Sequence, residues 1–147
     1  MEPYPSIDSI YKRDVRGRLL VGEFATEELA ALKDLMWTGY EKVDGTNVRV
    51  IGGDPVEFRG RSDNYQMPPA LLAYLRTAFP TGSVAPGVCL YGEGFGAKIQ
   101  KGGGNYISDG VGFVLFDVRV WSALGGGVRG SVWWLKEETI TGVAEGL

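Results

Sequence analysis

The chain has 147 residues, of which 44% are hydrophobic, and a formal net charge of −3. These values predict one packed domain and exclude a disordered composition, and any grip on nucleic acid must come from a local basic patch. The sequence has no histidine and a single cysteine, Cys89. An internal disulfide, a Cys/His zinc cluster and a histidine-activated nucleophile are therefore excluded, so any chemistry must use Lys, Asp, Glu or a metal.

The first third of the chain predicts a helix and then a hairpin. A basic cluster at positions 12, 13, 16 and 18 either reaches a phosphate backbone or is a solvated face. Thr26 is a suitable helix cap, and apolar residues recur at helical spacing to about residue 36. Residues 37–43 and 47–51 predict extended segments around Asp44-Gly45, a pair typical of tight turns. Lys42 would then lie at a strand end.

The middle of the chain predicts a strand, a helix and a second strand. Residues 56–60 predict a strand that delivers Arg59 and Arg61, and Pro68-Pro69 suits the start of a helix that continues to Phe79. Residues 88–91 predict a short apolar strand that runs into Gly92-Glu93-Gly94. The carboxylate of Glu93 at that point is a candidate ligand-binding group.

The last third predicts a loop, two strands and a helix. The glycine-rich loop of residues 94–110 either closes over a bound polyanion or stays mobile. Residues 113–120 alternate like a strand, with Val114 and Phe116 on one face and Phe113 and Leu115 on the other. Residues 131–135 predict a further strand, and a helix begins near Lys136.

Four segments that occur in order resemble the motifs of a known enzyme superfamily. They are Glu41–Asn47 (Glu-Lys-Val-Asp-Gly-Thr-Asn), Phe58–Ser62, Leu90–Gly94 and Phe113–Asp117. Together they resemble the covalent nucleotidyltransferases, and among them the ATP-dependent RNA ligases of the type-2 branch, whose nucleophile motif is Glu-Lys-x-x-Gly-Thr-Asn. A glutamine seven residues after Glu93, Gln100, favours RNA ligases over DNA ligases.

The resemblance implies an α+β fold, namely an ATP-grasp-like nucleotidyltransferase adenylation domain with antiparallel sheets and flanking helices. It also implies an activity. The lysine takes AMP from ATP as a phosphoramidate and passes it to an RNA 5′-phosphate, and a 3′-hydroxyl then displaces it. The implied cofactors are ATP and Mg²⁺ or Mn²⁺, and the implied partner is RNA with 5′-phosphate and 3′-hydroxyl ends. The expected location is the cytoplasm of a bacterium or a virus-infected cell, since the sequence contains neither a secretion signal nor a membrane span.

The same resemblance assigns the nucleophile and its neighbours. Lys42 is the adenylylated residue, Glu41 and Val43 lie near the adenine, and Asn47 lies close to the phosphate or the ribose. An amine with an ordinary pKa of about 10.4 attacks phosphorus only where burial, nearby cations or a metal lower that value.

Further binding residues follow from the later motifs. Arg61 matches a phosphate-binding arginine, with Arg59 as the competing candidate, and Glu93 matches the glutamate that holds the ribose. Phe116 matches the aromatic residue that stacks on the purine, with Phe113 as the alternative. Three residues of the glycine-rich loop either contact RNA phosphates or are solvated: Lys98, Gln100 and Lys101.

Two elements of the family pattern are not found in this sequence. They are a Glu-Gly-Val-like strand and a strand with two lysines, and after Val120 the only lysine is Lys136. Residues 1–147 are therefore predicted to be the N-terminal part of one ligase domain, catalytically incomplete without a C-terminal segment or a partner that supplies it. The alternatives are a DNA ligase, a GTP-dependent guanylyltransferase that caps RNA, and a non-catalytic module that binds nucleotides or RNA ends. The metal ligands stay unassigned.

Overall fold

The structure is a computed structural model that describes residues 2–122 and 131–145. Contacts divide the chain into two compact units, one of residues 5–41 and the other of residues 1–4 and 42–147. The described elements form an α+β fold with antiparallel sheets and few helices, which confirms the predicted class. A single domain over the whole length stays a prediction.

The smaller unit is a two-stranded hairpin followed by a short helix. Strand β1 (Tyr11–Arg13) pairs antiparallel with β2 (Leu19–Phe24), and the rings of Tyr11 and Phe24 lie 5.3 Å apart. Helix α1 (Glu27–Ala31) has the predicted cap, because the Thr26 hydroxyl accepts a hydrogen bond from the Leu29 N–H at 3.2 Å. The basic side chains at positions 12, 13, 16 and 18 are exposed.

Two predictions for residues 26–43 are wrong. Helix α1 ends at Ala31 rather than near residue 36, and Leu35 and Met36 beyond it are exposed. Helices this short depend on packing of an apolar face, and α1 has no buried residue. Residues 37–43 form no strand, so Asp44-Gly45 is not a hairpin turn and Lys42 lies in irregular chain before a strand.

The larger unit is built on a five-stranded antiparallel sheet with the order β4-β3-β5-β6-β7. Its strands are β3 (Thr46–Ile51), β4 (Glu57–Arg59), β5 (Val88–Gly96), β6 (Val111–Ser122) and β7 (Ser131–Trp134). The predicted strands at 47–51, 56–60, 88–91, 113–120 and 131–135 are thus confirmed. β5 and β6 extend further than predicted, whereas β4 and β7 are shorter. β3 and β6 flank β5, which makes β5 the central strand.

One face of this sheet packs against α2 to form the hydrophobic core. Val48 and Val50 of β3, Leu90 of β5 and Val118 of β6 are almost completely buried there. Helix α2 (Pro69–Ala78) covers them with Leu71, Leu75 and the following Phe79. Helix α3 (Glu137–Glu145) adds partly buried residues to the same cluster. No helix in the described part of the chain has the length and apolar character that a membrane crossing requires.

A β-bulge in β6 changes which side chains share a face. Gly92 pairs with Leu115 but Tyr91 pairs with Asp117, so Phe116 is an extra residue in β6. Phe113 and Leu115 therefore share the core face with Val118 and Val120, whereas strict alternation predicts opposite faces. The predicted assignment of faces across β6 is wrong because alternation cannot reveal an inserted residue.

Candidate functional site

The face of the sheet opposite the core carries two polar side chains, Asn47 and Glu93, beside apolar side chains of β6. Asn47 of β3 pairs with Glu93 of β5, and Glu93 pairs with Val114 of β6, so these three side chains share one face. Two residues from Val114, Phe116 is 38% exposed. We call Asn47, Glu93, Val114 and Phe116 the polar face. It forms because β5 is the central strand and each neighbour contributes side chains beside Glu93.

Gly45 packs residues 42–45, which we call the Lys42 segment, against Glu93. Its N–H donates a hydrogen bond to the Glu93 carboxylate. A Cβ at Gly45 would lie 2.9 Å from Glu93 Cγ and would overlap the Gly94 carbonyl oxygen. Only glycine allows this approach, so the glycine of the Lys-Val-Asp-Gly sequence serves close packing against β5 rather than a hairpin turn.

Glu93 is half-buried between charges of both signs. Burial raises the pKa of its carboxyl, the Lys42 ammonium lowers it by attraction, and the Asp44 carboxylate raises it by repulsion. Both charged groups of the Lys42 segment therefore lie near Glu93. Lys42 itself is exposed. Burial is thus not the means by which this lysine would become nucleophilic.

Asp44 ties the glycine-rich loop to the Lys42 segment. Its Oδ2 accepts a hydrogen bond from the Gly102 N–H at 3.1 Å, and its own N–H donates to the Tyr106 hydroxyl at 3.3 Å. The loop after β5, residues 97–110, is therefore held beside the Lys42 segment. The predicted RNA contacts Lys98, Gln100 and Lys101 are exposed on this loop.

Asn47 has an acceptor that no other described residue satisfies. Its Oδ1 atom is buried, and no hydrogen-bond donor lies within reach in the described part of the chain. A buried polar atom without a partner loses its hydration without compensation, so such atoms are rare in folded proteins. This oxygen lies on the same face of the sheet as Glu93, and because it has no exposed surface, a hydroxyl of a bound ligand could donate to it only after the groups around it move.

Arg49 organises the segment that bears the predicted phosphate-binding arginine. Its side chain is fully buried, its Nε donates to the Gly60 carbonyl at 2.9 Å, and its Nη2 forms an ion pair with Asp63 at 2.8 Å. These bonds fix residues on both sides of Arg61, which is exposed. The competing Arg59 donates to Glu57 at 2.8 Å and lies 3.6 Å from Asp63, so its guanidinium is already engaged.

The two aromatic candidates lie in different surroundings. Phe113 packs in the core, with its ring 5.5 Å from that of Phe79, and so cannot stack on a ligand. Phe116 is on the exposed side, and its ring meets that of Tyr4 edge-to-face at 5.0 Å. Of the two, only Phe116 is placed for stacking.

Among the predicted residues, Lys42, Asn47 and Glu93 come together, with Phe116 farther along β6. Val43 is half-buried in the same segment as Lys42, and Glu41 belongs to the smaller unit. Residues 2–122 and 131–145 contain no group of three or more acidic or cysteine side chains suited to hold a metal ion.

Sequence reasoning missed two features of this region. The first is Arg49, although a charge between Val48 and Val50 in an apolar strand is a signal that a buried ion pair is present. The second is the segment Glu2–Tyr4, which packs on β5 and β6 and for which the sequence offers no signal.

A cleft of about 620 Å³ lies elsewhere, between β4 and α2. Phe58, Leu72 and Phe79 line it together with Arg59 and Arg76, and no residue of the polar face takes part. We place the candidate site on the polar face in spite of this cleft, because the unpaired Asn47 acceptor and the Glu93 carboxylate, against which Gly45 packs, lie there.

Comparison of the chain with protein-family models, with curated proteins and with solved structures finds no match in any of the three.

Proposed function

We propose that the chain is the adenylyltransferase part of an ATP-dependent RNA ligase with a nucleotidyltransferase fold, acting in the cytoplasm. Lys42 takes AMP from ATP, and the adenylate passes to an RNA 5′-phosphate before a 3′-hydroxyl displaces it. The observation on which this depends is that Asn47 pairs with Glu93 and that Gly45, three residues after Lys42, packs against Glu93. These residues come from two of the four motif segments, and nothing in their sequence spacing requires them to meet.

In this reaction Lys42 Nζ, as a neutral amine, attacks the α-phosphorus of ATP. A P–N bond forms, the bond between the α-phosphorus and the bridging oxygen breaks, and pyrophosphate leaves while the amine proton passes to solvent. Glu93 accepts hydrogen bonds from the ribose hydroxyls, and the neighbouring Asn47 Oδ1, which is buried and unpaired without ligand, accepts another once ligand binding exposes it. Holding the sugar in this way sets the distance between Nζ and phosphorus.

The phosphates need positive charge, which Arg61 and a divalent ion would supply. Mg²⁺ or Mn²⁺ would neutralise the triphosphate as pyrophosphate leaves. Magnesium typically binds through one or two carboxylates together with substrate phosphates, and Asp44, whose charge acts on Glu93 as that of Lys42 does, would supply one such carboxylate. Lys98, Gln100 and Lys101 on the adjoining loop are placed to contact the RNA backbone.

Covalent labelling tests the proposal. We expect the protein, incubated with α-labelled ATP and Mg²⁺, to retain one AMP that survives denaturation and that acid releases, as expected for a phosphoramidate. Lys42→Ala should abolish the label, whereas Lys136→Ala, a matched change at an exposed lysine outside the site, should keep it. Label that persists in Lys42→Ala would remove Lys42 as the nucleophile.

The exposure of Lys42 favours a second candidate function, a module that binds nucleotides or RNA ends without catalysis. This module would bind ATP and release it intact, so equilibrium binding without covalent label identifies it. Parallel assays with GTP and with nicked DNA in place of nicked RNA separate the ligase from a capping guanylyltransferase and from a DNA ligase.

A further inference from the structure

An aromatic cluster beside the polar face is filled by Tyr4. Its ring lies 5.0 Å from that of Phe116, 5.3 Å from that of Tyr91 and 5.6 Å from that of Trp134, measured between centroids. We call Tyr4, Tyr91, Phe116 and Trp134 the aromatic cluster. Three separate strands contribute the other three rings, so the cluster is a preformed site for one flat group, and Tyr4 is that group here.

Tyr4 also satisfies a carboxylate at the same place. Its hydroxyl donates to Asp117 Oδ2 at 3.1 Å, while the Val118 N–H donates to Asp117 Oδ1 at 2.8 Å. Burial and the nearby Asp117 carboxylate raise the pKa of Tyr4 to about 12, so its phenol remains a donor at neutral pH. The site thus accepts a planar ring with a hydrogen-bond donor on its edge.

The segment that bears Tyr4 is held by few other contacts. The Tyr91 hydroxyl donates to the Glu2 carbonyl at 2.9 Å, and Arg119 forms an ion pair with the Glu2 carboxylate at 2.9 Å. Glu2 and Pro3 are exposed. The Glu2 side chain of this ion pair is 78% exposed and the Arg119 side chain 15% exposed, so water screens the pair on the Glu2 side and its contribution is modest. The ring contacts of Tyr4 are then the main interactions that a ligand must replace to displace the segment Glu2–Tyr4.

We propose that Tyr4 occupies the site of the adenine base, and that nucleotide binding expels the segment Glu2–Tyr4 and replaces the phenol on Asp117 with the exocyclic amino group of adenine. This inference builds on the proposed function. Phe116 then stacks on the base, and Asp117 selects adenine, which presents an amino donor where guanine presents a carbonyl acceptor. Asp117 becomes a specificity-determining residue, and Tyr4 an internal competitor of ATP.

Nucleotide affinity measures the competition. When Tyr4 blocks the site most of the time, the apparent dissociation constant for ATP equals the intrinsic one divided by the fraction of molecules whose site is open. Tyr4→Ala removes the block and should therefore bind ATP on the order of tenfold more tightly. Tyr4→Phe removes only the donor to Asp117 and should give an intermediate affinity. Tyr74→Ala, a matched loss of an exposed tyrosine on α2, should leave the affinity unchanged.

Two further measurements follow the base and the segment directly. The wild type should prefer ATP to GTP and to the triphosphate of unsubstituted purine, which lacks the amino group, and Asp117→Asn should reduce that preference. In protein labelled with fluorotyrosine, the Tyr4 signal, assigned through Tyr4→Phe, should move to a solvent-exposed position when ATP is added. Urea unfolding of each variant confirms that it is folded.

The outcomes separate this inference from the proposed function. Equal or weaker ATP binding by Tyr4→Ala, or a Tyr4 signal unmoved by bound ATP, overturns the inference even if Lys42 is labelled. Expulsion of Tyr4 by ATP without a Lys42 adduct supports the inference and removes the ligase. Absence of ATP binding in both the wild type and Tyr4→Ala overturns both.

Discussion

Gly45→Ala adds a single methyl group at the closest approach between the Lys42 segment and β5. The new Cβ would lie 2.9 Å from Glu93 Cγ and 3.1 Å from the Gly94 carbonyl carbon, and it would overlap the attached oxygen. Thr46, the next residue, pairs with Gly94, so the methyl group can be accommodated only if β3 and β5 separate at this end. That separation also lengthens the hydrogen bond from the Gly45 N–H to Glu93.

The size of the effect follows from this geometry. Overpacking of a tight site typically lowers the free energy of unfolding by about 1–3 kcal/mol. With a urea dependence of about 1–3 kcal/mol per molar for a small protein, the midpoint should fall by on the order of 1 M. If Lys42 is the nucleophile, the shift of its segment away from Glu93 should slow lysyl-AMP formation by about tenfold to a hundredfold.

Urea unfolding followed by circular dichroism measures the change in stability. Gly104→Ala is the matched control, because a Cβ at Gly104 would have no atom within 4 Å. Its unfolding free energy should stay within about 0.5 kcal/mol of the wild type. A Gly45→Ala midpoint equal to that of the wild type and of Gly104→Ala would show that the close packing of this segment on β5 is not present in solution.

Three other changes test the charges, the core and a helix. Carboxyl NMR should show a raised pKa for Glu93, and Lys42→Gln should raise this pKa further whereas Asp44→Asn should lower it. Because the folded-state pKa of Glu93 is above its unfolded value, the wild type should lose stability relative to Glu93→Gln as the pH rises from the unfolded to the folded pKa. An ordinary pKa for Glu93 would refute this prediction. Leu71→Ala removes a fully buried side chain under Gly94 and should lower the free energy of unfolding by about 2–5 kcal/mol in urea, and a loss below 1 kcal/mol would contradict its place in the core. A Cβ at Gly142 in α3 would have no atom within 4 Å, so Gly142→Ala should raise the free energy of unfolding, measured by thermal denaturation, by up to about 1 kcal/mol. A decrease would mean that α3 is not helical at that point.

Sequence patterns predicted the longer elements of the larger unit because packing and periodicity agree there. The apolar face of α2 reflects burial against the core, and the apolar run of β6 correctly predicts a strand, although the bulge at Phe116 breaks its alternation. Residues 37–43 show the limit of this reasoning. Asp44-Gly45 is a common turn pair, but here the glycine is required by β5, a strand more than 40 residues later in the chain. Local sequence cannot report a contact of that range.

For the polar face, the sequence predicted individual motif residues and not the surface that they form. Lys42, Asn47 and Glu93 were named from the sequence, and the structure brings them together. Tyr4 and Asp117 were given no role, since their pairing joins positions 113 residues apart. Their roles depend on where the segment Glu2–Tyr4 lies, and neither periodicity nor composition encodes that placement.

The bulge at Phe116 makes one position of β6 independent of the rest of the strand. Because the extra residue is left out of the pairing with β5, Phe113, Leu115, Val118 and Val120 can all face the core while position 116 stays outside it. Replacement of this side chain would therefore leave the interior of the protein intact. A substitution at this position changes the ring that meets Tyr4 and the proposed base, and so offers a point at which ligand preference can be altered without repacking the core.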